Sequence, residues 1–208
     1  MDLVLHIKVS KLANMNQEQL KKQLGKIDIY LLDQIMKHRY LDTDLILDAG
    51  CGKGRNIETI LGLGLNIVGC DSDLSTIQTL QQKHPTIDLR VNDLSDLSYQ
   101  NSIFNHIICN AVLHFANDID QFKKMISELY RVLKPNGTLF IRMTSIFGIE
   151  NTVIPNQGQY KLPDGTNRFL LTSELVLYLD ELFTLIEPLK TVNVNNLRCM
   201  STLILKKQ

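Results

Sequence analysis

The stretch Leu45-Ile46-Leu47-Asp48-Ala49-Gly50-Cys51-Gly52-Lys53-Gly54-Arg55-Asn56 constrains this chain more than any other. An apolar run ends in an acid, three glycines follow at alternate positions, and a helical pattern begins at Arg55. That order describes a buried strand running into a tight turn that opens a helix. Glycine at Gly50 permits a positive φ. Glycine at Gly52 and Gly54 removes β-carbons that would hold a bulky ligand off the backbone. A ligand would then lie against main chain at the carboxyl end of a central strand. A dinucleotide fingerprint requires G-x-G-x-x-G/A. Counted from Gly50, its last small position holds Arg55, which disfavours a nicotinamide dinucleotide. The glycines could instead serve only a tight turn.

Strand and helix patterns alternate along the chain. Residues 16–40 carry leucine and isoleucine at helical spacing, with Gly25 as a break, and form N-terminal helices ahead of the sheet. Strands are expected at 45–48, 66–70, 87–91, 106–110 and 138–143, and helices at 55–62, 73–83 and 118–133. Lys134-Pro135-Asn136-Gly137 is expected as a turn between the last helix and its strand. Such alternation predicts an α/β fold with helices on both faces of a parallel sheet. From 145 to 171 the pattern fades into Gly, Pro, Asn and Gln, as in a lid or acceptor-binding insertion. A helix at 172–181, capped by Thr172 or Ser173, precedes two expected strands at 183–193 and 199–205.

With 208 residues the chain fits one domain. Its 22 basic and 22 acidic side chains balance, which argues against a footprint for DNA or long RNA. No apolar run reaches the ~20 residues of a membrane span. The start, Met1 to His6, lacks a secretory pattern. Cys51, Cys70, Cys109 and Cys199 show neither close pairing nor zinc spacing, so no metal site is expected. Reduced thiols and a cytoplasmic location follow as the default.

The acid followed by G-x-G-x-G resembles motif I of the class I S-adenosyl-L-methionine (SAM) methyltransferases. The resemblance implies a Rossmann-like three-layer sandwich. Its sheet would be mostly parallel and seven-stranded, with an antiparallel C-terminal strand. In that family the glycine loop passes under the methionine part of the cofactor and the strand-end acid faces its amino group. Asp48, Gly50, Cys51, Gly52, Gly54 and Asn56 would then contact SAM and its product S-adenosyl-L-homocysteine. Asp71, about twenty positions beyond the loop, has two oxygens that match a ribose cis-diol, with Ser72 beside it. Asp71 or its neighbours could alternatively cap the following helix. By the same resemblance Asp93 meets the adenine amino group and the backbone of Leu94 supports the ring. Asn110 lines the sulfonium side. Asn110-Ala111-Val112-Leu113 lacks the Asn/Asp-Pro-Pro-aromatic motif of enzymes that methylate base amines, which points to a small-molecule acceptor.

Asp48 to Asn56 is also similar to the motif of tellurite-resistance methyltransferases of the TehB type. The similarity continues at 91–97, 112–115, 133–137 and 197–203. It makes Arg198 a candidate for holding an anionic acceptor. That family's upstream His-Arg pair has no counterpart in Val192-Asn193-Val194-Asn195-Asn196, which weakens tellurite or selenite as the acceptor. His114 follows the fourth strand and could act as a general base. Arg142, Arg168 and Tyr160 are further candidates around an acceptor, and Tyr30 and Arg39 around the cofactor carboxylate. A SAM-binding module without chemistry and an RNA methyltransferase are the competing functions. The assembly is expected to be a monomer or homodimer.

Overall fold

The computed structural model describes residues 16–208; the reading of Met1 to His6 falls outside that range. Two short helices, α1 (Gln17–Leu24) and α2 (Ile29–Met36), precede the sheet. Asn16 and Gln19 form a reciprocal capping box on α1. Gly25, at φ +56°, ends it, as the sequence predicts. The alternating region follows as β1 (Leu45–Ala49), α3 (Arg55–Gly62), β2 (Asn66–Asp71), α4 (Leu74–Lys83), β3 (Leu89–Val91), β4 (Phe104–Asn110), α5 (Ile119–Val132) and β5 (Leu133–Ser145). Three short strands come next: β6 (Ile154–Asn156), β7 (Gln159–Lys161) and β8 (Asn167–Arg168). The chain closes with α6 (Ser173–Leu182), β9 (Phe183–Leu185), β10 (Lys190–Val194) and β11 (Arg198–Lys207).

The main sheet runs β10-β11-β5-β4-β1-β2-β3, with β9 also paired to β11. Strands β1 to β5 pair in parallel, and β11 runs antiparallel to β5, β9 and β10. The fold is thus the expected Rossmann-like sandwich with a mostly parallel sheet and an antiparallel C-terminal strand. Successive strand residues face opposite layers. Ile46, Ile108, Phe140 and Ile204 pack with Leu31, Ile57 and Leu80 on the α2–α4 side. Leu47, Ile107, Ile141 and Leu203 pack with α5 and α6 on the other. The stripe Phe122, Met125, Ile126, Leu129 and Val132 seats α5. Its burial contributes on the order of 10 kcal/mol before entropy is counted.

The order reverses at β1, which lies between β2 and β4. Such a switch point leaves a crevice beyond the carboxyl ends of the strands, where α/β folds bind ligands. Asp48, one residue before the end of β1, and Asn110, the last residue of β4, lie at this crevice.

Three local expectations need correction. The predicted turn at 134–137 lies inside β5, as a wide bulge. From Phe104↔Leu133 to His106↔Thr138, β4 advances two residues while β5 advances five. Asn136 takes up the slack at φ +62°. The single strand expected at 183–193 is two strands, interrupted around Pro188, which has no N–H to give a ladder. Finally, the irregular segment 145–171 contains an antiparallel meander, β6-β7-β8.

Candidate functional site

The glycine loop is held by its neighbours' backbone. Gly50 and Cys51 donate N–H bonds to the Cys70 carbonyl at 2.8 and 2.9 Å, and Gly52 donates to Asp71 Oδ2 at 2.9 Å. All three loop glycines have positive φ. Their open sides differ. A β-carbon at Gly50 would fall 2.3 Å from a Val112 methyl, and one at Gly54 would fall 2.5 Å from Leu80. A β-carbon at Gly52 would meet nothing within 4 Å. Gly50 has the positive φ expected of it, and its missing Cβ also makes room for Val112. The expectation for Gly54 is corrected: of the two glycines expected to open ligand space, only Gly52 does, and Gly54 is small so that Leu80 can pack.

Asp48 is only 1% exposed near the end of β1. Its Oδ1 accepts from Asn56 Nδ2 at 3.1 Å. Its Oδ2, Asn56 Oδ1 and Asn110 Nδ2 are buried without a hydrogen-bond partner. Buried polar atoms are rarely left this way. Burial raises the Asp48 carboxyl to about 7, against the Asn56 hydrogen bond and Arg55, which pull it down. Two orphaned oxygens, one from β1 and one from the first turn of α3, suit one cationic N–H donor, such as an amino-acid ammonium. The Asn110 amide suits an acceptor beside it.

Asp71 ends β2. Its Oδ1 accepts from Asp73 N–H at 3.0 Å and its Oδ2 from Gly52. Each oxygen keeps a lone pair for a diol. The helix cap belongs to Asp73, which bonds the Ser75 and Thr76 amides, so Asp71 is not that cap. Ser72 is exposed next to it. The Asn92 N–H reaches the Asp71 carbonyl at 2.9 Å and brings the end of β3 to the same rim. There Asp93 is exposed, with Oδ1 on the Ser95 amide at 2.7 Å. The Leu94 side chain is buried in the core, so only its backbone faces the rim. Val91, 45% exposed and paired with Asp71, is an apolar surface that the sequence pattern did not single out.

The other side of the crevice follows β4. Leu113–Phe115 forms a 3₁₀ turn whose preceding Val112 abuts Gly50. The His114 carbonyl accepts from Phe169 N–H at 3.0 Å, and Gln159 Nε2 donates to the Ala116 carbonyl at 2.7 Å. The meander is thereby tied over residues 114–118. Arg168 stacks on Phe115 at 4.9 Å, and Phe115 meets the His114 ring edge-on at 4.5 Å. Arg198, exposed at the start of β11, stands 3.9 Å from Asp164 Oδ2 in the β7–β8 turn. Burial above all, then Arg168 and Arg198, lowers the His114 imidazole to about 4.

Arg142 belongs elsewhere. Its Nε pairs with Asp28 Oδ2 at 2.8 Å, its Nη1 bonds Thr202, and its guanidinium lies 4.6 Å over Tyr30. Arg39 pairs with Glu187 at 2.8 Å. Both arginines, and Tyr30 with them, tie α2 and the residues flanking it to β11 and to the β9–β10 connection. The four cysteines are buried and unpaired. Among the described residues no helix is long and apolar enough to cross a membrane.

This geometry places orphaned polar atoms and an open glycine loop at the switch point of a Rossmann-like sheet. Residues 47–141 match the family described as "Methyltransferase domain" (Methyltransf_11). A probable S-adenosylmethionine-dependent methyltransferase of Mycolicibacterium smegmatis is 29% identical over 52% of this chain and 40% of its own length. A demethylmenaquinone methyltransferase of Renibacterium salmoninarum is 27% identical over 74% of this chain and 68% of its own. The chain thus spans two-fifths of the length of the first of these relatives. The crystal structure of a SAM-dependent methyltransferase from Methanosarcina mazei shares the fold, with TM-score 0.69, 20% identity, and 83% and 96% of the two chains covered. These similarities support a class I SAM-dependent methyltransferase domain over residues 47–141, with SAM as its cofactor.

Proposed function

We propose that this protein transfers the SAM methyl group to a small-molecule acceptor. The observation that carries the proposal is the orphaned pair Asp48 Oδ2 and Asn56 Oδ1 at the two ends of the glycine loop, whose Gly52 has open space on its Cβ side. When bound, SAM supplies an electrophilic methyl on a sulfonium, and its transfer leaves S-adenosyl-L-homocysteine. Asp48 and Asn56 receive the ammonium end. Gly50, Cys51, Gly52 and Gly54 form the loop beneath it. Asp71, beside Ser72, accepts the ribose hydroxyls, Asp93 the adenine amino group, and the Leu94 backbone borders the ring. Asn110 flanks the reacting side. The β6–β8 meander acts as a lid that excludes water over residues 114–118. Holding donor and acceptor in line supplies on the order of 7–11 kcal/mol in favourable cases.

A small acceptor is supported by the absent base-amine motif and by a relative named for demethylmenaquinone. Arg198, which the tellurite-resistance resemblance assigns to an oxyanion, and Arg168 provide positive charge on the acceptor side. The test is calorimetric titration of SAM and S-adenosyl-L-homocysteine into wild type and Asp71→Ala. Methyl-labelled SAM is then offered with an acceptor panel. Micromolar binding lost in the variant, followed by label on a small molecule, supports the proposal. Absence of binding to wild type overturns it.

A further inference from the structure

The edge of β5 beyond the end of β4 has a hydrogen-bond problem that His114 solves. Arg142 turns its peptide group toward β4, where its carbonyl accepts from Ala111 N–H at 2.7 Å. Thr144, two residues on, turns the same way. Strand β4 ends at Asn110, so no strand faces Thr144 there. Its carbonyl accepts from Leu171 N–H at 3.0 Å. Its own N–H is buried and goes to His114 Nδ1 at 3.4 Å. A buried backbone N–H left without that bond would be costly.

A backbone N–H can only donate, so Nδ1 must hold a lone pair. In a neutral imidazole the proton then resides on Nε2. Nε2 makes no hydrogen bond among the described residues and is not among the atoms sealed from solvent. The guanidiniums of Arg168 and Arg198 are the charged groups that bear on the ring. Asp164, whose carboxylate accepts from the Thr166 hydroxyl at 2.6 Å, lies 3.9 Å from Arg198.

Resting on the methyltransferase reading, we infer that His114 is a fixed Nε2–H hydrogen-bond donor and not a general base. With Arg168 and Arg198 it selects an acceptor whose oxygen arrives as an anion: a carboxylate, an enolate or an acidic phenol. The chemistry balances without a base. The anionic oxygen forms the new bond to the methyl carbon as the carbon–sulfur bond breaks, the electron pair stays on sulfur, and no proton has to leave. The negative charge also offsets the positive charge of the sulfonium and of the Arg168 and Arg198 guanidiniums, which Asp164 neutralises only in part.

The tautomer is tested by long-range 1H–15N correlation spectra of the histidine-labelled full chain, with and without S-adenosyl-L-homocysteine. The expected result is the Nε2–H tautomer for His114, with no titration between pH 5 and 8. The Nδ1–H tautomer, or a midpoint near the ordinary imidazole value of about 6.5, overturns the inference. Benzoate and benzamide then probe the acceptor side. Benzoate should move the His114 Nε2–H signal and benzamide should not. The double variant Arg168→Gln, Arg198→Gln should weaken the benzoate response about tenfold or more. An equal response to both probes, or none to benzoate, refutes anion selection. Failure of S-adenosyl-L-homocysteine to bind would instead sink the methyltransferase reading, while the tautomer result without ligand would stand.

Discussion

Cofactor affinity should follow the protonation of Asp48. Burial holds this carboxyl at about 7, against an ordinary 3.8. An ammonium delivered to Asp48 Oδ2 favours the ionised form, so binding must drive off any proton the carboxyl carries. The sign follows directly: affinity rises with pH until about 7 and is level above it. At pH 6 the proton costs about a tenfold loss of affinity and at pH 5 about a hundredfold loss, since each pH unit below the free-protein value is one decade. Titration calorimetry of S-adenosyl-L-homocysteine in buffers of different ionisation enthalpy measures both quantities. At pH 7 roughly half a proton should be released per ligand bound. Asp48→Asn should bind weakly, with no pH dependence over this range. The same shift acts on the ligand-free fold with opposite consequence. A carboxyl raised above its unfolded value contributes stability below about 3.8 that is lost as pH rises through about 7. Ligand-free Asp48→Asn should therefore melt higher than wild type at pH 8. Affinity that is flat from pH 5 to 8, or binding without proton release, would refute this account of the site.

Other expectations concern packing and the site rims. Gly54→Ala places a β-carbon 2.5 Å from Leu80 at φ +79° and should lower stability by about 2–4 kcal/mol in urea unfolding. Gly52→Ala, with nothing within 4 Å, should cost only the left-handed strain of about 1–2 kcal/mol yet weaken S-adenosyl-L-homocysteine binding. Equal behaviour of the two variants would contradict their assignment. Asp71→Asn should reduce affinity about tenfold or more with a small change in melting temperature, because the amide oxygen can still take the Gly52 N–H. Arg142→Met should destabilise by about 1–3 kcal/mol, since Asp28 loses its partly buried partner; unfolding curves superimposable on wild type would argue that the pair contributes nothing.

The parallel core was legible because its signals are local. Leu45–Asp48 and His106–Asn110 are apolar runs that only a doubly covered strand needs. Helix α5 shows its buried stripe at helical spacing, and Thr172 caps α6 as its chemistry suggests. The meander was not legible. Its strands are two or three residues long, too short for a period. Its first hairpin turns on Gln157 and Gly158, both at positive φ, and on contacts with residues 116–118. The bulge in β5 was likewise hidden, because Lys134-Pro135-Asn136-Gly137 has turn chemistry wherever it sits.

The strand–turn–helix around Asp48, the acid at the end of β2 and the lack of a base-amine motif can all be read along the chain. Each depends on residues adjacent in the chain, whose conformational preferences act within a few bonds. What each side chain faces is settled by packing between distant segments. It gave the Cβ space of Gly50 and Gly54 to Val112 and Leu80, and left that of Gly52 open. It spent Arg142 on Asp28 and left Arg168 and Arg198 near His114. It also set the His114 proton, through a Thr144 amide thirty residues away. Which partner a polar group finds depends on where the sheet ends and what packs across it, and those distances are not encoded at any single position.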